Sequence, residues 1–291
     1  MPLITHYFQP TLPEALYHYS GIGSLLGIAK NKCVWAGSVR YMNDSQELLQ
    51  SFDRVDELLT HKVNSSPVGN LRYDFELQFL RWMAEMRDAT NLHVFAFSLS
   101  EVPSLLSQWR SYTPHGKGVS IGFSRVLLDR ITAGGQFRLG KCLYSHDDQD
   151  ELIESLLNSL WGKCEDDPTL QQGNHPAPGW RYYPVFERNR SDIYHALALM
   201  KHEAFQEERE WRLVSSLVDG LGTCNFREGG TMLVPYIEIA LNSGGANPLF
   251  HSLTVGPTPH EDLSMPALKG YLAKENLCTS VRHCAIPYRE W

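Results

Sequence analysis

No stretch of about 18 consecutive apolar residues occurs anywhere in the sequence, which excludes an α-helical membrane span of ordinary length. The opening stretch MPLITHYFQPTLPEAL has neither the basic n-region nor the apolar h-region of a secretory leader, so a cytoplasmic address with no membrane partner is expected. Cysteine is sparse and scattered. Cys33, Cys142, Cys164, Cys224, Cys278 and Cys284 form no C-x-x-C pair, which argues against a disulfide framework or a zinc knuckle and predicts free, mostly buried thiols. Cys142 with His146, Asp147 and Asp148 fits no standard zinc or calcium spacing, so no metal is expected. A basic surplus is missing too: 26 Lys and Arg against 33 Asp and Glu leave a net charge of −7, and no general attraction to phosphate backbones follows. Only scattered cations remain for a local groove: Arg40, Arg110 with Lys117, and Arg181 with Arg188 and Arg190. No internal repeat or low-complexity tract is present.

What is there is ordinary globular material. With 43% hydrophobic and 11% aromatic residues in 291, the chain can bury a substantial core, and its patterning predicts a single α+β domain over 1–291. It opens β-α-β, with strand ALYHYS, helix IGSLLGIAKNK and strand CVWAG. Leu48, Leu49, Phe52, Val55 and Leu58 recur three and four apart and predict an amphipathic helix over 44–62. A second follows over 71–88, so about 44–90 reads as a helical insertion. Asn43 and Asp44 read as its N-cap, with Glu47 completing something close to a capping box. Strand LHVFAFSLS, helix SLLSQWRSY, strand GVSIGF, a helix capped by Ser124, strand FRLGKCLYS and a helix over 147–162 continue the alternation. The polar, proline-bearing stretch 164–182 reads as a mobile loop able to act as a lid. A helix over 188–206 is expected to run into a strand within QEEREWRLVSS. Strands TMLVPYIEIAL and SLTVGP, a helix near 260–274 and a last strand in CTSVRHCAIPY follow.

Several blocks in order, LYHYSGIGSLLGI, VWAGSVRYMNDSQE, VFAFSLS with QWRSY and GVSIGF, EEREWRLV, a late VGP and the terminal IPYR, together resemble a bacterial family catalogued as domain of unknown function 2971. The segment YHYS with the helix beginning IGSLL is also similar to the N-terminal motif of ADP-ribosyltransferases, especially toxins that modify DNA or RNA. That resemblance implies an ADP-ribosyltransferase-like split β core whose cleft holds NAD as substrate. It implies an enzyme that cleaves NAD and passes ADP-ribose to a nucleic-acid or protein acceptor or to water. A role as toxin or antiphage effector is implied as well, with an antitoxin as one class of partner. Three contact positions come with it. His18 stands where the first strand supplies a hydrogen bond to NAD, with Ser20 closing that strand. Ser98 or Tyr41 fills the middle position, and Glu208-Arg209-Glu210 fits the late Glu-x-Glu.

The chemistry wants such residues. Breaking the nicotinamide–ribose bond creates an oxocarbenium-like centre that a carboxylate stabilises, and Glu210 is the expected carboxylate. Strand alternation predicts Glu208, Glu210 and Arg212 on one face, with Glu208 orienting an acceptor and Arg212 holding a phosphate or carboxylate. Tyr41 or Trp109 is the expected stacking ring, and Trp109, Arg110 and Tyr112 read equally as a helix end packing its aromatic face. The plain alternatives stand beside these: His18 as a satisfied core histidine, and the two glutamates as a solvated strand face paired with Arg209 and Arg212. Without an active chemistry the same cleft reads as a catalytically silent NAD or nucleotide sensor. Gly118-Val119-Ser120-Ile121-Gly122 matches the G-x-S-x-G of serine hydrolases, but Ser120 is predicted inside a strand, where that elbow cannot form.

Overall fold

In the computed structural model the described residues are 2–8, 11–42, 46–67, 69–170, 178–241, 248–278 and 280–286. The β-α-β opening forms as expected: β1 (Ala15–Ser20), α1 (Ile22–Asn31) and β2 (Cys33–Ser38). Lys32, in the left-handed region at φ 52, ends α1 and turns the chain straight into β2. Two long helices follow, α2 (Glu47–Ser65) and α3 (Leu71–Asp88), the latter capped by Asn70, whose Oδ1 accepts from Tyr73 N at 2.6 Å. Asn43 and Asp44, the expected cap of α2, lie outside the described residues, as do residues 171–177 of the expected loop and 287–289 of the terminal IPYR block.

The expected strand LHVFAFSLS is broken into β3 (Leu92–His93) and β4 (Phe95–Ser100), and then come α4 (Leu106–Tyr112), β5 (Val119–Ser124), α5 (Arg125–Ala133), β6 (Phe137–Lys141) and α6 (His146–Glu165). Ser145 starts α6, its Oγ accepting from Asp148 N at 3.1 Å and donating to Asp148 Oδ2 at 2.5 Å. Ser145→Ala is expected to cost about 1 kcal/mol in urea unfolding, the usual worth of a serine cap.

The predicted helix over 188–206 is a correction. It breaks into α7 (Tyr183–Arg188) and α8 (Arg190–Leu197), and only a 3-10 turn covers Glu203–Glu208. Between α8 and that turn Met200 bridges to Leu143 and Lys201 N donates to Leu143 O at 3.0 Å. The backbone of 199–201 is thus spent on pairing with the segment after β6 rather than on a helix. The remaining elements are β7 (Glu210–Ser215), β8 (Val218–Asp219), the hairpin β9 (Asn225–Glu228) and β10 (Leu233–Ala240), β11 (Ser252–Val255), α9 (Glu261–Lys274) and β12 (Val281–His283).

Ten of these strands make one mixed sheet in the order β12-β11-β5-β1-β4-β2-β10-β9, with β7 on β4 and β6 on β7. Every pair is antiparallel except β11 with β12. Helices cover both faces, which makes the fold a two-sided α+β arrangement. One apolar cluster joins α2, α3, α6, α7 and α8 to Ala96 and Val214, around Phe75, Phe79, Trp82 and Phe186. The other joins α1, α5 and α9 to Phe95, Phe97, Leu99, Trp211 and Leu213. Odd and even positions of β4 and β7 therefore face different cores, as a regular pleat requires.

At β4 the sheet divides. One edge of β4 pairs with β7 along Ala96–Ser100. On the other edge β1 reaches only Ser100, through Tyr17, while β2 reaches only Ala96 and Phe95, through Gly37 and Ser38. Neither strand is in register with Phe97, Ser98 or Leu99, and the gap between β1 and β2 opens onto the cleft described below.

All six cysteines are free, and five of them are buried. Ser120 sits in the middle of β5 with β1 and β11 on either side, where no sharp turn exists. Among the described residues no helix is long and apolar enough to cross a membrane, and no group of three or more His, Cys, Asp or Glu is placed to hold a metal ion.

A buried histidine makes the fold pH-sensitive. His195 Nε2 donates to Ser215 O at 2.8 Å, so its Nδ1 carries the lone pair facing Arg138 Nη1 at 3.2 Å. Burial, and then the Arg138 charge, push its pKa down to about 4. The unfolded chain binds this proton near pH 6.5 and the folded one near 4. Stability is therefore complete above about pH 6.5 and falls by up to roughly 3 kcal/mol as the pH drops through 4. Urea unfolding at pH 7 and pH 4.5 measures this. His195→Gln, which keeps one donor and one acceptor, is expected to flatten the dependence.

Candidate functional site

The backbone around Glu208 is the key to the site. Glu208 is not on the strand: it ends the 3-10 turn, Arg209 follows in the left-handed region at φ 45, and β7 starts only at Glu210. The expected strand alternation is corrected here, yet its outcome survives. The turn at Arg209 brings Glu208 onto the side of Glu210 and Arg212, while Trp211 points into the opposite core and donates to Glu101 at 2.9 Å.

Five ionisable side chains meet there, all nearly sealed from solvent. Lys201 Nζ lies 2.6 Å from Glu210 Oε2, 2.7 Å from Glu208 Oε2 and 3.3 Å from Glu47 Oε1. Arg212 donates Nε to Glu210 Oε1 at 2.8 Å, Nη2 to Glu47 Oε2 at 2.6 Å and Nη1 to Ala198 O at 2.9 Å. Tyr112 OH donates to Glu208 Oε1 at 3.3 Å, and Tyr144 OH accepts from Glu210 N at 2.7 Å. Three carboxylates against two cations leave one negative charge uncompensated when all are ionised. Such a charge is costly at 4–5% exposure.

The two glutamates carry that imbalance differently. Burial raises the Glu210 carboxyl, but Arg212 and Lys201 outweigh it and hold the group at about 2. Burial also raises Glu208, and there Lys201 does not overcome it, so its carboxyl sits above the usual carboxylate range. Glu210 is fully engaged by cations. Glu208 keeps one oxygen with only a long hydroxyl contact.

His18 faces this group across the gap in the sheet. Its Nδ1 donates to Ser98 O at 3.0 Å; a carbonyl can only accept, so the neutral ring carries its lone pair on Nε2, which has no partner among the described residues. Burial depresses its pKa and favours the neutral form. The side chain thus supplies, on the open edge of β4, the hydrogen bond that no neighbouring strand makes. Ser98 Oγ is buried nearby without a hydrogen-bond partner.

These residues line one cleft of about 610 Å³: His18, Ser98, Tyr41, Glu208, Glu210 and Arg212 are all in its wall, with Trp35, Tyr112 and Phe205 as further rings. A smaller recess of about 40 Å³ has His18, Ser98, Glu208 and Glu210 together in its lining. Ser20 lines an adjoining chamber rather than the cleft. Trp109 is fully buried; it packs edge-on against Tyr19 at 4.7 Å and donates Nε1 to Ser104 Oγ at 3.3 Å, so the expected stacking role does not fall to it. Lys201 and Arg227 carry no expectation from the sequence, and Glu47 was expected there only as part of a helix cap. For Lys201 a signal existed, a lone cation closing the apolar run ALALM just ahead of EERE.

Residues 108–213 match the model of a family described as Protein of unknown function (DUF2971). That segment runs from α4 to β7 and carries Tyr112, Lys201, Glu208, Glu210 and Arg212; His18, Glu47 and Ser98 lie outside it. No curated protein and no solved structure matches the chain.

Proposed function

We propose that this cleft binds NAD and breaks its nicotinamide–ribose bond, in the manner implied by the resemblance of the YHYS strand to ADP-ribosyltransferases. The observation that carries the reading is the convergence of His18, Ser98, Tyr41, Glu208 and Glu210, from separate parts of the chain, on one cleft. The uncompensated negative charge gives the convergence a chemical sense. The nicotinamide of NAD is a cationic ring, and the ribose becomes cationic as the bond breaks, so the buried cluster, one positive charge short with all five groups ionised, favours both, and the transition state most, while Arg227 balances the cleft wall as a whole.

In this reading the C–N bond electrons return to the ring nitrogen, neutral nicotinamide leaves, and water or the hydroxyl, amine or ring nitrogen of an acceptor attacks the ribose carbon and gives up a proton to solvent water. Glu208, with one oxygen lightly held, faces the ribose. Glu210 holds Lys201 and Arg212 in place, and the His18 Nε2 lone pair accepts from a sugar hydroxyl. Tyr41 or Tyr112 stacks on a flat ring. The acceptor class, nucleic acid or protein, and any antitoxin stay as the resemblance implies them.

A second reading is favoured by one observation: both Glu210 oxygens are taken up by internal cations. A cleft of that kind can hold NAD without turning it over, as a sensor. Incubating the protein with NAD, with and without cell extract, and following free nicotinamide separates the two. Release supports the enzyme, and thermal protection by NAD without release supports the sensor. Neither release nor protection would remove both.

A further inference from the structure

Next to the carboxylate side of the cleft lies a second chamber of about 610 Å³, and the two share His18, Trp35, Tyr112 and Arg227 in their walls. Its lining includes Gly23 and Gly27, one turn apart on α1. A Cβ added at either glycine would meet nothing within 4 Å, and neither has a positive φ. The backbone therefore has no need of glycine at these positions, and glycine weakens a helix relative to alanine. What glycine leaves is room above the helix.

The two chambers differ in charge. Glu47, Glu208 and Glu210 line the first, whereas among the described residues no carboxylate lines the second. Arg227 stands at the boundary on the exposed edge strand β9. It makes no ion pair among the described residues, and its one hydrogen bond is a long 3.5 Å contact to Glu228 O. A phosphate is repelled by the buried carboxylates and attracted to this guanidinium.

We infer that the site is built for a two-part ligand: the half that carries the cationic ring in the carboxylate chamber, the phosphates on Arg227, and a nucleoside-sized second half over Gly23 and Gly27. This rests on the NAD reading above and adds Arg227 as a positioning residue and Gly27 as a gate on ligand length.

Titration calorimetry with NAD, ADP-ribose and nicotinamide mononucleotide tests it. Gly27→Leu fills the second chamber and is expected to weaken NAD and ADP-ribose at least about tenfold, to leave the mononucleotide unchanged, and to keep or raise Tm. Gly27→Ala should move the same way by a smaller factor, which guards against misfolding of the larger variant. Arg227→Gln is expected to weaken all three ligands about ten- to a hundredfold, the range for losing a charge-assisted hydrogen bond. Unchanged NAD affinity in both Gly27 variants overturns the second chamber, and unchanged affinity in Arg227→Gln overturns the phosphate position. If the wild-type protein binds none of the three ligands, the NAD reading itself falls and this inference falls with it.

Discussion

Glu208→Gln is expected to lower nicotinamide release by about a thousandfold or more while leaving the protein as stable as the wild type. The two halves of that result come from one fact. Glu208 belongs to a group of three carboxylates and two cations, and it is the member whose charge is least supported, with Lys201 at 2.7 Å on one oxygen and only Tyr112 at 3.3 Å on the other. Removing its charge brings the group to neutrality, so folding loses little. The same change removes the surplus that favours a cationic ribose, so the chemistry loses much. Glu210→Gln is expected to behave differently, losing stability along with activity, because Lys201 and Arg212 both lean on it. Single-turnover nicotinamide release with thermal melts of both variants measures the contrast. Full activity in Glu208→Gln would sink the assignment.

Arg212→Met is expected to cost about 3–5 kcal/mol, the penalty for leaving buried charges without their partner. Arg212 is 1% exposed and spans Glu210, Glu47 and the Ala198 carbonyl, so it ties β7 to the start of α2 and the end of α8. Without it three carboxylates face Lys201 alone. A second change, Glu47→Gln, removes one of the stranded charges and is expected to recover a good part of the loss. Urea unfolding of the two single variants and the double measures that coupling. If the single variant unfolds at the wild-type midpoint, the charges are not the support they are taken for here.

The sequence made much of this legible, for identifiable reasons. Elements with a clear period, such as α2 with Leu48, Phe52, Val55 and Leu59 buried, and β1 with its Ser20-Gly21 exit, formed within a few residues of expectation. Where periodicity was silent the reading failed. The stretch 188–206 carries helix-compatible residues throughout; it is interrupted at Asn189, and beyond Leu197 the pairing of residues 199–201 with the segment after β6, a contact between distant parts of the chain, takes its backbone. The Glu208-Arg209-Glu210 segment shows the reverse: the two glutamates share the face that alternation predicts, but a left-handed turn at Arg209 rather than a pleat puts them there. Trp109 takes the packing alternative of the two left open, since an aromatic at a helix end looks alike in sequence whether it packs inward or stacks on a ligand. Glu47 was legible only as part of a helix cap, because 165 positions separate it from the arginine it pairs with.

The gap that opens β4 between β1 and β2 has a consequence for how copies of this chain behave toward one another. A strand with unsatisfied carbonyls and amides is a template for a foreign strand, and proteins ordinarily meet that hazard at the outer margins of their sheets with charge, bulges or covering loops. Here the vulnerable edge lies in the interior of the sheet, and the imidazole on Ser98 O is the plug. The histidine proposed to accept a ligand thus also covers this edge of the sheet. A chain that loses it would leave Ser98 O on that edge without this partner.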